Sequence, residues 1–443
     1  MLSRVAVVGP QDLVAEMIMD GTDFPELELI PLPYEKETEA LDLVRANMHK
    51  VDVVVFTGPV PYLLTKGKIP PYLPLVYVRY SGAALYRVLF QILQQNQGTM
   101  NLIEHLSIDT LPASAVKETY EELGLNSSQV YVLEEKTFLN STAQIAEHRR
   151  CYEAGLSMAA VCCLTSTYKE LLKLKTPAYR ICPTRFDMRE TLRLAKIEGL
   201  ALYHRKAQVA VAILKMEHGS LASGTKNTQR LTLELHQLLL NYGERTGATV
   251  SFIGGDEFII FSTRGALETA TTNFSQVPLI DEIQAKIGIN IALGLGIGHS
   301  AAEAENNART ALQQSQNAGW NNCCILQESG IMIGPFGSAS PLAYEMRSLN
   351  PELIAVAGQS GLSVSTVSRL EATMVNYGRT TLTANEVAGG LGLTLRSARR
   401  ILNMLEQAGL ATVVGMEQPV GKGRPRQVYD LRLSGKGDAV TMG

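Results

Sequence analysis

What this chain of 443 residues lacks narrows its class first. It has no uncharged apolar stretch of about eighteen residues, so neither a membrane-spanning helix nor a membrane partner is expected. The apolar start, Val5-Ala6-Val7-Val8, is too short for a secretion signal and reads as a buried strand. None of the six cysteines has C-x-x-C spacing, and the adjacent pairs Cys162–Cys163 and Cys323–Cys324 are ill placed to bridge. Free thiols in a reducing cytoplasm are expected, with no metal ligands and no cofactor. Low-complexity tracts are missing too. What remains is the composition of a globular protein, 46% hydrophobic and 19% charged, long enough for two to four domains.

Net charge is only −3, but its distribution is uneven. Between Thr394 and Arg426 six basic residues face two acidic ones, Glu406 and Glu417. Such a local excess is an electrostatic footprint for a polyanion.

Residues 1 to about 200 alternate continuous apolar runs (Val5–Val8, Val51–Phe56, Leu75–Val78, Val130–Leu133, Ala159–Leu164) with helical patterns. Continuous apolar strands followed by helices indicate parallel sheets covered on both faces. A break near Gln97-Gly98 divides the region in two, and Arg180–Asp187 returns the chain towards the first half. The pattern resembles the two-lobed periplasmic-binding-protein architecture. Ligands of such sheets bind beyond the carboxyl ends of the strands, which singles out Thr57, Gly58, Arg79, Ser81, Gly82, Thr165 and Ser166 for a small polar effector. No nucleophile–His–acid set and no glycine-rich phosphate loop occur here. Asp187–Lys206 reads as a connecting helix suited to a dimer contact.

From 207 onward the order is β-α-β-β-α-β-α-β, with a hairpin at Gly254-Gly255-Asp256-Glu257-Phe258. That hairpin resembles the signature of the GGDEF diguanylate cyclases, whose fold is shared with class III nucleotidyl cyclases and archaeal GTP cyclohydrolase III. Leu295-Gly296-Ile297-Gly298 and Asn317-Ala318-Gly319-Trp320-Asn321 add to the resemblance. It implies that Gly254, Gly255, Asp256 and Glu257 contact a nucleotide. It also implies a second carboxylate at the end of the first strand, so that two acids converge on a divalent cation. Lys215 stands in that place, Glu217 keeps one carboxylate nearby, and no base-reading Asn-Asp is visible in Ser220–Lys226. On this reading the domain is catalytically degenerate, with no catalytic residue and no enzyme.

Near the C-terminus, Thr383 with Glu386 three residues on forms a capping box. Gly392 permits a turn, and Thr394 caps a helix whose Ala398, Ile401, Leu402 and Leu405 make one apolar stripe. Arg396, Arg399, Arg400 and Asn403 lie opposite, with Ser397 beside the cap. Two strands then flank a tip carrying Lys422, Arg424 and Arg426. This resembles the winged helix-turn-helix domains of bacterial regulators, and implies base and phosphate contacts from those nine residues, Thr394 included. An echo precedes it: Ala355–Leu370 aligns with Glu386–Ile401, Val-Ala-Gly, Gly-Leu and an arginine matching.

The expected fold is multidomain α/β. A two-lobed parallel α/β ligand-sensing domain spans 1–186 and a connecting helix 187–206. An α+β ferredoxin-like (GGDEF/cyclase-like) domain follows over 207–336. A helical linker or first helix-turn-helix-like unit takes 337–378, and a winged helix-turn-helix 379–443. The expected function is a ligand-responsive transcriptional regulator that binds double-stranded promoter DNA as a homodimer. The alternative is a GTP-dependent nucleotide cyclase or cyclohydrolase with a DNA-binding tail.

Overall fold

The computed structural model describes residues 2–433 apart from 81, 97, 99, 135–138, 218–223, 337–340, 347–349 and 418–424; of 224–228 it describes the backbone alone. Contacts divide the chain into two units, Met1–Tyr203 and His204–Gly443.

The first unit holds two parallel sheets. Lobe one runs β1 (Ser3–Pro10), α1 (Gln11–Asp20), β2 (Leu27–Tyr34), α2 (Ala40–Asn47), β3 (Val53–Phe56), α3 (Pro59–Thr65) and β4 (Leu75–Tyr77), with strand order β2-β1-β3-β4. Alternate residues of its strands feed two separate cores. Val5, Val7, Val53 and Val55 pack with Leu13 and Met17 of α1, while Ala6, Val8, Val54 and Phe56 pack with Ala40 and Val44 of α2. That two-sided burial is why the runs are apolar without alternation, each buried side chain contributing about 1.5–3 kcal/mol.

Lobe two runs α4 (Gly82–Gln95), α5 (Met100–Glu104), β5 (Leu106–Ile108), α6 (Ala113–Glu122), β6 (Tyr131–Val132), α7 (Ser141–Glu153), β7 (Ala159–Cys162), α8 (Thr165–Lys173) and β8 (Ala178–Arg180), in order β6-β5-β7-β8. The long helix α9 (Arg185–Lys206) then returns to lobe one, where Met188, Leu192 and Ala195 join the core of Val5 and Val7.

The second unit is built on a seven-stranded sheet of order β10-β11-β9-β12-β13-β14-β15. Its elements are β9 (Val209–Met216), α10 (Gly224–Thr246), β10 (Thr249–Gly254), β11 (Glu257–Thr263), α11 (Arg264–Ala270), α12 (Pro278–Ile287), β12 (Ile291–Gly298), α13 (Ala301–Ala318), β13 (Asn322–Leu326), β14 (Ile331–Gly334) and β15 (Leu342–Glu345). The glycines of β12 are required by close approach: a Cβ on Gly294 or Gly296 would come within 2.2 Å of α13 backbone atoms.

The strand β15 was not foreseen. The segment 337–378, expected as a helical linker or first helix-turn-helix-like unit, forms α14 (Pro351–Ser360) and α15 (Val364–Tyr377) and also adds β15 to the sheet. β15 and α15 are joined by a hydrogen bond from Glu345 N to Ser368 Oγ (2.9 Å) and by Arg369 stacked over Tyr344. The chain closes with β16 (Thr381–Thr383), α16 (Ala384–Leu391), α17 (Leu395–Gln407), β17 (Ala411–Glu417) and β18 (Arg426–Leu431), the strands ordered β16-β18-β17. One core shared by α14–α17 and these strands contains Val367, Leu382, Leu402 and Tyr429. No helix among the described residues is long and apolar enough to cross a membrane.

Candidate functional site

The hairpin between β10 and β11 projects two carboxylates beside the end of β9. Phe258, fully buried, anchors it, and Gly254 and Gly255 take positive φ (122° and 64°) that a side chain would strain. A register shift between Phe252 and Gly254 bends the strand at this point. Lys215 pairs in register with Glu257, and its Nζ lies 3.3 Å from Glu257 Oε1 and 3.8 Å from Asp256 Oδ2. Arg309 of α13 reaches to 3.9 Å from Glu257. Beyond β9, Glu217 accepts a hydrogen bond from Asn290 Nδ2 (2.7 Å), and Asn290 Oδ1 accepts one from Asn321 (2.8 Å). Asn321, seen in sequence only as part of a closing motif, thus ties the start of β13 to the acid at the end of β9. Most of Ser220–Lys226, where a base-reading pair was sought, lies outside the described residues.

The local charge count is four carboxylates (Glu217, Asp256, Glu257 and Glu305, the last 2.7 Å from Arg309) against two cations (Lys215, Arg309). Lys215 is no bare cation facing a metal; it is compensated by its strand partner, and the site as a whole is acidic. Oxygen donors in an acidic site suit a divalent ion, and the hairpin acids Asp256 and Glu257, which both approach Lys215 Nζ, are the carboxylates that would meet it. A carboxylate pair from β9 and the hairpin shared by two ions does not fit, because Lys215 fills one of those places.

Residues 219–327 match the sequence model of the GTP cyclohydrolase III family. The match takes in about a quarter of the chain and spans the hairpin, β12 and α13. It corrects the expectation of a degenerate domain in a chain that is no enzyme, since the matched family is one of enzymes. That expectation rested on Lys215 as a cation repelling the metal, whereas Glu257 and Asp256 face and compensate it. No curated protein matches the chain. Solved structures similar to it include an NtrC family transcriptional regulator from Clostridium acetobutylicum (11% identity, 45% of this chain and 98% of that one, TM-score 0.36). Two others are an EAL/GGDEF domain protein from M. capsulatus (23%, 28% and 85%, TM-score 0.22) and a leucine binding protein from Thermotoga maritima (13%, 67% and 96%, TM-score 0.23). At TM-scores this low none of the three carries weight.

Two further residue groups were singled out in sequence. Between the lobes, Thr57 and Gly58 at the end of β3 and Thr165 and Ser166 opening α8 line one cleft, with Tyr34, Glu37 and Tyr80. Sequence reading missed the last three. Ser166 Oγ donates to Glu37 Oε2 (2.8 Å) and Arg180 pairs with Asp12, so the lobes are drawn shut. Burial raises the Tyr34 and Tyr80 phenols well above their ordinary pKa, Glu37 adding to the shift of Tyr34. Arg79 and Gly82 are exposed and do not line this cleft, although Tyr80 between them does; Ser81 lies outside the described residues.

In the C-terminal segment, Ala398, Ile401, Leu402 and Leu405 are buried, while Arg396, Arg399, Arg400 and Asn403 are exposed. Thr394 accepts from Ser397 N (3.3 Å), and Thr383 with Glu386 forms the capping box. Gly392 takes φ 62° between α16 and α17. Arg426 shares a groove with Arg399 and Asn403; Lys422 and Arg424 lie outside the described residues. The preceding echo repeats the local geometry, with Gly361 at φ 68° and Ser363 capping α15. Its arginine differs: Arg369 is turned inward, to the Leu391 carbonyl and the Tyr344 ring.

Proposed function

We propose that the chain is a GTP-directed enzyme of the cyclohydrolase or cyclase type, carrying a DNA-binding tail. The match of residues 219–327 carries this reading, together with the acidic site at Glu217, Asp256 and Glu257. Asp256 is held by its hairpin at the end of β9 and would orient the nucleotide's phosphates with any bound cation; Lys215 holds the hairpin acids in register. The test is incubation of the purified chain with GTP and Mg²⁺ or Mn²⁺, with products resolved by chromatography and mass spectrometry. Turnover that Asp256→Asn abolishes supports the proposal, and absence of any product with either metal overturns it.

A second reading is favoured by one specific observation, the exposed face of Arg396, Arg399, Arg400 and Asn403 bordered by Arg426. On it α16 and α17 are the helices of a winged helix-turn-helix, and β17 and β18 its wing. The protein then regulates transcription as a dimer on promoter DNA, answering to an effector in the lobe cleft. Salt-dependent preference for its own promoter over random DNA supports it, and equal affinity for both defeats it.

A further inference from the structure

Beneath α7, lobe two buries a set of groups that neither reading uses. β5 and β7 are parallel neighbours with Ile108 opposite Val161, so the next residues, Asp109 and Cys162, come level at the ends of their strands. α7 lays Gln144, His148 and Cys151 over the sheet as a buried stripe at helical spacing. Asp109, His148 and Cys162 are each fully buried. Their carboxylate oxygen, ring nitrogen and sulfur lie within 4.8 Å of one another.

A hydrolytic relay is the first chemistry to weigh. Ser107 Oγ lies 2.8 Å from His148 Nδ1, and His148 Nε2 lies 3.2 Å from Asp109 Oδ2. Ser107 is itself fully buried, so no substrate reaches its hydroxyl. Charge balance points elsewhere. Among the described residues Asp109 has no lysine or arginine partner; His148 is the one basic side chain paired with it. A carboxylate in that position needs compensation.

We propose that Asp109, His148 and Cys162 bind a zinc ion that fastens α7 to β5 and β7. The outer contacts are those a metal site requires. Ser107 engages Nδ1 of His148 and leaves Nε2 for the ion; the Cys163 N–H donates to Asp109 Oδ1 (2.8 Å) and leaves Oδ2. Mixed oxygen, nitrogen and sulfur donors select zinc over magnesium or calcium. One divalent ion with a carboxylate and a thiolate is neutral overall, so the buried site closes without a further counter-charge. Binding releases the Cys162 thiol proton to solvent as the sulfur–metal bond forms.

Cobalt(II) added to the metal-stripped full-length chain provides the probe. The proposal expects one ion per chain, a sulfur-to-cobalt charge-transfer band in the near ultraviolet, and loss of both on adding Zn²⁺. Cys162→Ser removes the band and Cys163→Ser, at the neighbouring thiol, keeps it. Absence of the band from the wild-type chain overturns the site, as does its persistence in Cys162→Ser. Should Cys162→Ser not fold, His148→Gln is read on the same spectrum with the same expected loss.

Discussion

Lys215 and Glu257 face each other across β9 and β11, and the ammonium of one lies 3.3 Å from the carboxylate of the other. The pair sets the charge that any nucleotide or cation meets at the hairpin. Lys215→Met frees Asp256 and Glu257 from their internal cation. Mn²⁺ affinity, followed by titration of the free ion's paramagnetic signal, is expected to rise. Because the pair is partly exposed, stability should move by no more than about 1 kcal/mol. Unchanged or weaker Mn²⁺ binding would show that Lys215 does not govern the site.

Arg264 is the buried counterpart. Its guanidinium bonds Glu268 (2.8 Å) and Glu328 (2.5 Å) with almost no exposure. Arg264→Met strands two carboxylates and should cost about 3–5 kcal/mol in urea unfolding, while a further Glu268→Leu change should restore part of it.

In the lobe cleft, Ser166→Ala deprives the buried Glu37 carboxylate of its hydroxyl partner, a loss of about 1–3 kcal/mol. The lobes should then part more often. Cys163, buried and lining the cleft, should react faster with a thiol reagent, as located by peptide mass mapping. An unchanged rate would mean that this contact does not hold the cleft closed.

For the C-terminal unit, Arg399→Ala should weaken promoter binding, and a phosphate contact would show as a salt slope shallower by about 1. Gly392→Ala forces a side chain into left-handed backbone and should cost about 1–2 kcal/mol in thermal unfolding.

The hydrogen bonds of Arg150, and after it Tyr131, hold the Glu147 carboxyl at about 2, below its ordinary 4.5. A depressed folded value means that the stabilisation is complete above pH about 4.5 and is lost as pH falls through about 2. Amide protection factors in α7, taken relative to the intrinsic exchange rate at each pH, should therefore fall over that window, and Glu147→Gln should flatten the dependence.

The strands that sequence revealed most clearly are those buried on both faces, such as β1 and β3. β2 was invisible because Pro31 and Pro33 interrupt it, and it tolerates them as an edge strand. β5 (Leu-Ser-Ile) and β8 (Ala-Tyr-Arg) each carry a polar or charged residue among only three, so no apolar run registers. The rule that ligands gather at strand ends found Thr57 and Thr165, a hundred residues apart and brought to one cleft. It could not find Glu37, which sits before α2, nor the approach of His148 to Asp109, which depends on how α7 lies across the sheet. The α17 faces were legible because helical spacing alone separates Leu402 from Arg400.

β15 changes how this protein can be taken apart. A fragment cut at residue 336, where the sequence suggests a boundary, would end on β14 with its outer row of amides and carbonyls unpaired. Met332, packed in the same cluster as Tyr344, would face water. Such an edge invites strand-to-strand aggregation. Expression of the family-matched portion alone should therefore run to residue 346 or beyond, and a shorter piece that precipitates would say nothing about its chemistry.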